Sequence, residues 1–412
     1  MDILEFTTEP ESNLTYTQEK LADYCPGGYH PVCLGDKFHD GRYEVVHKLG
    51  WGGFSTVWLG RDKQAEKWVA LKICKADTDS LREVSTLRSL QNSPAANFVA
   101  RLYDSFVHDG PNGSHLCIVT EFLGPSLHHI IADYAHDDTL RLSRQLLQAI
   151  AALHEAGVAH GGITLDRSIA KSENQSTNIH VLDVNASNIV FTVSRLASLS
   201  KEELFEIVGA PETAQLLRED GSTLSRTLPK QLVGTMQWTS WIDEDEEDIR
   251  LVDWGEAFTF DSPPKRLAQP SHLRVPETLF TSQIDYSIDL WRAGIMMYYM
   301  ISGNYPFHWW GHNEAFICQM IGFIGELPVE WRGQWQQMQE ATTEKIDFLH
   351  RPSLLDRYTK IAPKPCLAPV VPVIQKLISF RPADRISARE ALELLPTEFP
   401  ESPEPDATLR IL

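Results

Sequence analysis

Residues 43–74 read YEVVHKLGWGGFSTVWLGRDKQAEKWVALKIC, and the reading of this stretch decides the fold. Three short runs, Tyr43 to Gly50, Ser55 to Arg61 and Lys67 to Cys74, are rich in β-branched and aromatic residues and separated by turn residues, which predicts three strands. Between the first two lies Leu49-Gly50-Trp51-Gly52-Gly53-Phe54-Ser55-Thr56-Val57. Glycines at 50 and 52 let a backbone turn approach phosphate groups closely and aim N–H groups at them. A plain hairpin has the same kind of turn, so the flanks must decide. Val57 stands where a side chain packs on a purine, and Val69-Ala70-Leu71-Lys72 follows on the next strand. A lysine in an apolar strand is costly to bury unless an anion accompanies it. Glu83, on the polar side of the helix predicted next, is the carboxylate placed to orient Lys72.

Outward from this stretch, Ser80 to Leu90 carries apolar residues at 81, 84, 87 and 90, one face of a helix. Further strands are predicted at Phe98–Phe106 and Leu116–Phe122. Beyond Gly124 the period is helical. Leu142, Leu146, Ile150 and Leu153 form one stripe over 139–156, with Gly157 placed to stop it. Residues 287–302 are apolar on nearly all sides, the mark of a helix inside a larger core. A β-rich part thus precedes a helical one, an α+β arrangement joined near residue 124. Three segments lie outside this plan. Residues 1–42 read as a polar, turn-rich extension, and 192–249 as a polar spacer expected to be a solvated loop, ending in six consecutive acids at 243–248. The tail from Pro396 has four prolines in ten residues and is expected to be extended.

The chain has 412 residues, and 37 Lys+Arg against 56 Asp+Glu give a net charge of −19. Its hydrophobic content of 42% and charged content of 23% exclude collagen-like, wholly disordered and disulfide-scaffold classes. Direct nucleic-acid binding is not expected, because phosphate contacts draw on clusters of Lys and Arg and none longer than a pair occurs. A basic protein partner fits the acidic balance, as does an acidic surface that only keeps the chain soluble. The start, MDILEFTTEPESN, has neither the basic nor the apolar region of an export signal, and the longest apolar stretch, Ala293 to Ile301, is about half a membrane span. Cys25, Cys33, Cys74, Cys117, Cys318 and Cys366 form no CxxC pair, which points to reduced thiols in the cytosol or nucleus and to no zinc site.

The run Asp23-Tyr24-Cys25-Pro26-Gly27-Gly28-Tyr29-His30, then GDKF at 35–38, GRYEVVHKLGWGGFSTVWL at 41–59 and VALK at 69–72 together resemble a eukaryotic protein kinase. More narrowly they resemble, in its fungal-type form, the family that phosphorylates serine/arginine-rich (SR) splicing factors. The resemblance implies a two-lobed fold, with a small β-rich N-lobe over 43–123 and a larger, mainly helical C-lobe over 124–395. It implies ATP and Mg²⁺. Leu49, Gly50, Gly52, Val57 and Ala70 would enclose the nucleotide, and Lys72, paired with Glu83, would hold its α- and β-phosphates. The Lys72-to-Glu83 spacing of 11 is about one turn shorter than the family's, which leaves the helix start open. Ile118 to Leu123 resembles the strand and hinge that read adenine through the backbone of Glu121 and Leu123, with Thr120 as gatekeeper. Asp253 of Asp253-Trp254-Gly255 would bind Mg²⁺. Arg274-Val275-Pro276-Glu277 resembles the APE box, Asp289 to Gly294 opens the buried helix as in kinases, and Arg385 would pair with Glu277.

The catalytic loop departs from this pattern. Asp183-Val184-Asn185-Ala186-Ser187-Asn188 supplies the aspartate that orients a substrate hydroxyl and, five residues on, the asparagine for a second Mg²⁺. The histidine that belongs two residues before Asp183 appears instead at Ala159-His160-Gly161. Removing 162–182 joins His160-Gly161 to Asp183 and restores H-G-D-V-N-A-S-N, whereas His160-Gly161-Gly162 read as the motif loses both acid and amide. These residues are therefore read as a 21-residue insertion, either genuine or a retained intron that sequencing the transcript would expose. As a loop it is cheap in entropy but costly if it displaces a catalytic group. Asn185 stands where a lysine usually touches the γ-phosphate, and Gly161 where an arginine reads an activation-loop phosphate. The expectation is a monomeric serine/threonine kinase, cytosolic or nuclear, with Asp183 and Lys72 catalytic, Asn188 and Asp253 on the metal, and a protein substrate of Arg/Ser-rich type. The alternative is a pseudokinase scaffold that binds ATP or partners without transfer.

Overall fold

The computed structural model describes residues 3–78, 80–130, 138–161, 186–239, 241, 247–267, 269, 271–281, 283–309, 311–341, 353–361 and 367–397. Asp183, Asn185, the 162–182 insertion, acids 243–246 and the tail beyond 397 lie outside them. The described residues form two compact units, one β-rich (3–129 and 187–255) and one mainly helical (130–161 and 256–397).

The first unit is built on a six-stranded antiparallel sheet of β1 (Lys37–Phe38), β2 (Tyr43–Gly52), β3 (Ser55–Asp62), β4 (Lys67–Cys74), β5 (Leu102–Gly110) and β6 (Gly113–Glu121), in the order β1-β2-β3-β4-β6-β5. Side chains alternate between faces along a strand. In β4 this sends Val69, Leu71 and Ile73 into a core with Tyr43, Val45, Trp58, Cys117 and Val119, and Ala70 and Lys72 to the opposite face. The strand expected from Phe98 begins at Leu102, because Pro94–Phe98 is a 3-10 turn opened by Pro94 and capped by the Ser93 hydroxyl.

The spacer is not a solvated loop. It contains the helix Lys201–Val208, started by a Ser200/Glu203 capping box, and the strands Thr213–Arg218 and Gln231–Val233. Those strands join Phe6–Glu9 of the extension in a three-stranded antiparallel sheet. Phe6, Leu14, Leu21, Tyr24 and Tyr29 are buried with Ala214, Leu216, Leu228 and Leu232, while Val193, Leu196, Leu204, Val208, Met236 and Trp238 bury Val46, Leu59, Trp68 and Phe122. Lys48 of β2 is ion-paired with Glu19 of the extension, which also accepts from Tyr24 Oη at 2.5 Å. Buried apolar area of this kind stabilises by about 25 cal/mol per Å², enough to order segments whose own polarity reads as loop.

Three histidines meet where the extension covers the sheet. The His30 ring lies 4.7 Å from that of His108 and 5.0 Å from that of His115, and touches Phe38. His115 Nδ1 is 2.9 Å from the Cys74 carbonyl, and Asp36 and Asp109 act on His108 from the flanks. Burial, with His108 and His115 adding to it, pushes His30 down to about 3; burial lowers the other two as well. These groups stay neutral in the folded unit, while in the unfolded chain they take up protons below about pH 6.5. Stability is therefore full above that value and falls as pH drops below it, by about 1.4 kcal/mol per pH unit for His30, with His108 and His115 acting in the same direction. Urea midpoints at pH 7.5, 6.5 and 5.5 should decline in that order, with a shallower decline in His30→Phe; a flat profile would contradict the burial.

In the helical unit Asp138–Glu155 begins and ends within a residue of the predicted 139–156, and Gly157 follows at φ +71°. The helix Ser287–Ser302 is buried from Ser287 to Ile301 and ends at Gly303 in the left-handed region. A Cβ at Gly294 would lie 2.6 Å from Ile378 Cγ1, so glycine sets how closely this helix meets the end of Val370–Leu377. The Arg385 guanidinium forks onto Glu277, Nη1 to Oε1 at 2.9 Å and Nη2 to Oε2 at 2.6 Å, and takes the Ser287 carbonyl at 3.0 Å.

Candidate active site

The first unit brings Lys72, Glu83 and Asp253 together. Lys72 Nζ donates to Glu83 Oε1 at 2.7 Å and Oε2 at 2.8 Å, and to Asp253 Oδ1 at 3.1 Å. The short spacing works because the helix Leu81–Leu90 starts almost at once, with Glu83 in its first turn and buried rather than on a polar face. Glu83 also accepts the backbone N–H of Trp254, whose indole is buried and donates to the Leu251 carbonyl at 3.2 Å. Burial by itself would lower the Lys72 ammonium, but Asp253 and then Glu83 outweigh it and raise its pKa above the ordinary lysine value. Lys72 is thus a fixed cation held by two carboxylates.

Asp253 stands at φ +67°, a strained conformation for a residue with a side chain. Its side chain is 39% exposed, so the carboxylate keeps access to a ligand while holding Lys72. The strand Ile249–Leu251 pairs antiparallel with Ile189–Phe191, Leu251 opposite Ile189, and Val252 N–H donates to the Asn188 carbonyl at 3.1 Å. This ladder sets Asn188 beside Asp253. Asn188 is buried, and its amide nitrogen has no hydrogen-bond partner among the described residues.

Leu49, Gly50 and Gly52 form the end of β2. Gly50 faces Val57 and Gly52 faces Ser55, with a break in register at Leu49. Nothing lies within 4 Å of where a Cβ would stand at either glycine, so the turn's surface is open. Val57 is directly opposite Lys72, and Ala70 opposite Thr120. The Glu121 N–H donates to the Arg101 carbonyl at 2.9 Å, and its side chain accepts the Arg101 N–H at 2.9 Å. The Glu121 carbonyl accepts the Thr120 hydroxyl at 3.3 Å, and Leu123 follows at the strand exit. Tyr29, which no motif reading singles out as a site residue, donates its hydroxyl to the Gly52 carbonyl at 2.6 Å and anchors the tip of the glycine turn. The only signal for it is its place in the DYCPGGYH run.

In the helical unit the Asp289 carboxylate accepts the N–H of His160 at 2.8 Å and of Gly161 at 3.3 Å, pinning the chain just before the insertion. Asp183 lies outside the described residues.

The protein kinase domain family matches residues 43–183 and 241–394. The chain is 40% identical over 157 residues to protein kinase dsk1 of Schizosaccharomyces pombe, covering 35% of this chain and 29% of that protein. It is 46% identical over 118 residues to human SRSF protein kinase 3, covering 27% and 21%. A serine/threonine protein kinase of Aspergillus fumigatus is 27% identical over 336 residues, 78% of this chain and 74% of that protein. A crystallised kinase domain superposes with a TM-score of 0.62 at 19% identity, covering 89% of this chain and 99% of that one, which supports the two-lobed α+β fold. The chain spans under a third of the length of the first two of these relatives. With a family match across most of its length and the Lys72–Glu83–Asp253 cluster in place, the chain belongs to the protein kinase family.

Proposed function

We propose that this chain is an active serine/threonine protein kinase that moves the ATP γ-phosphate to a protein hydroxyl. The observation that carries this reading is the Lys72 ammonium held by both Glu83 oxygens and by Asp253, a fixed cation of the kind that grips nucleotide phosphates. The open glycine turn would offer backbone N–H groups to the same phosphates. Asp253, whose carboxylate is 39% exposed, and Asn188, whose carbonyl accepts the Val252 N–H, are neighbours that carry oxygen donors of the kind Mg²⁺ takes, so these residues fit Mg²⁺. Mg²⁺ there would neutralise charge on the transferring phosphates. Asp183 would orient the substrate hydroxyl and take its proton as the oxygen–phosphorus bond forms and the bond to the β–γ bridging oxygen breaks, releasing ADP.

An Arg/Ser-rich substrate is supported by the resemblance to SR-protein kinases rather than by a visible acidic groove. Glu326 is taken by Arg332 at 2.8 Å and Glu330 by Arg381 at 2.6 Å. Residence in the cytosol or nucleus belongs to the same proposal; among the described residues no helix is long and apolar enough to cross a membrane.

The test incubates the full chain, and a chain lacking 162–182, with Mg-ATP and an Arg-Ser peptide. Phosphate transfer that Asp183→Ala abolishes is the expected result. Thermal stabilisation by ATP without transfer in either chain would replace the kinase by a scaffold.

A further inference from the structure

Arg292 lies one turn beyond Asp289 on the Ser287–Ser302 helix, and its Nη1 donates to the Gly161 carbonyl at 2.8 Å. The two side chains grip the same short stretch from opposite ends, Asp289 by its N–H groups and Arg292 by its carbonyl. Arg292 is 0% exposed, and its Nε and Nη2 find no hydrogen-bond partner among the described residues. A buried guanidinium with two unmet donors is an expensive choice on a helix otherwise lined by apolar residues, and packing alone does not account for it. Three carboxylates act on this cation: Asp289, Glu277 and Glu256.

Position 161 cannot readily carry a charge of its own. Gly161 stands at φ +63°, and a Cβ there would lie 2.6 Å from the Glu256 carbonyl oxygen and 2.7 Å from Phe258 Cδ1. Any side chain would be strained and would have to displace backbone. We propose that Arg292 is a positioning residue that supplies, from the buried helix, the cation missing at residue 161, and so fixes the His160–Gly161 backbone together with Asp289. Such an internal, permanent cation takes the place of a side chain that would read a loop phosphate. The consequence for turnover rests on the kinase reading; the grip on Gly161 does not.

The experiment uses the full chain produced in bacteria and treated with a phosphatase, as wild type, Arg292→Met and Arg292→Lys. Two quantities are read: steady-state transfer to the Arg-Ser peptide, and hydrogen exchange at the His160 and Gly161 amides. Arg292→Met should lower kcat by about 100-fold, the scale of a small misplacement of catalytic groups, with KM for ATP little changed. Exchange should rise selectively at the two amides. Arg292→Lys, which keeps the charge, should recover a large part of both. Unchanged kcat and exchange in Arg292→Met, or a uniform rise in exchange with a lowered unfolding midpoint and no recovery in Arg292→Lys, would overturn the assignment. Should Arg292→Met not fold, Arg292→Gln decides, since wild-type kcat and exchange without the charge would refute it. If the wild type transfers no phosphate, the kinase reading fails and the exchange comparison still judges Arg292.

Discussion

Lys72→Met is expected to lower phosphate transfer by about 100-fold or more, since removing one preorganised electrostatic donor costs about 10²–10³ in kcat. Lys72 makes three charge-assisted bonds, two to Glu83 and one to Asp253. Methionine matches the stem but leaves two carboxylates facing each other without their cation. The substitution therefore removes the charge proposed to bind phosphate and also loosens the groups that aim it. Lys72→Arg keeps the charge but replaces a compact ammonium by a planar fork, so it should restore folding more fully than turnover. Single-turnover transfer, with nucleotide binding measured separately, distinguishes lost chemistry from lost binding. Transfer within a few-fold of wild type in Lys72→Met would dismiss this lysine as the phosphate anchor.

Arg385→Leu is expected to cost about 3–5 kcal/mol of stability, the typical penalty for removing one partner of a buried ion pair. The Arg385 side chain is 0% exposed and that of Glu277 2%. The guanidinium also takes carbonyls of Ser287, Ser379 and Phe380. Leucine would leave the Glu277 carboxylate buried without a counterion and three carbonyls without their donor. Replacing both partners, Arg385→Met with Glu277→Leu, should recover much of the carboxylate term but not the carbonyl bonds. Trp291 lies under the guanidinium, 5.2 Å from its centre, and urea unfolding followed by circular dichroism measures the stability of each variant. A double variant no more stable than Arg385→Leu alone would show that the carbonyl bonds, rather than the charge pair, carry the stability.

The segments outside the kinase motifs are integral to the β-rich unit and to its glycine turn. Tyr29 of the extension holds the Gly52 carbonyl, and Met236 N–H of the spacer donates to the Lys48 carbonyl at 2.8 Å, one residue before Leu49. The Trp238 ring stacks near Phe122 at 6.3 Å. Cutting either segment from the chain would expose apolar surface and also free the glycine turn.

The net charge of −19 carries less than the placement of individual acids. Glu247, last but one in the 243–248 run, is buried and accepts the Ser194 N–H at 2.6 Å, so it serves the fold. Glu19, Glu83, Glu277 and Asp289 are likewise buried against named partners.

Much of this protein was legible in local sequence, because strand and helix periods record which face of an element is buried. The alternation in Lys67–Cys74 put Lys72 on the face away from Val69 and Leu71, and the stripe over 139–156 and the mostly apolar 287–302 located two main helices of the second unit. Motif order nominated Lys72, Glu83 and Asp253, which the structure brings together, since each motif is a few residues long and its spacing is set by one turn or strand. What local sequence could not show was contact between distant segments. Leu34 N–H meets Gln231 Oε1, 197 residues on, and Thr235 meets Gln18, 217 residues back. Short polar stretches become strands only when such partners cover them, and no period in either stretch announces the other. The same holds for Arg292, which is an unremarkable residue in an apolar helix until folding sets it under Gly161. Tertiary structure alone decides it, because the carbonyl that a buried cation needs lies 131 residues away in the chain.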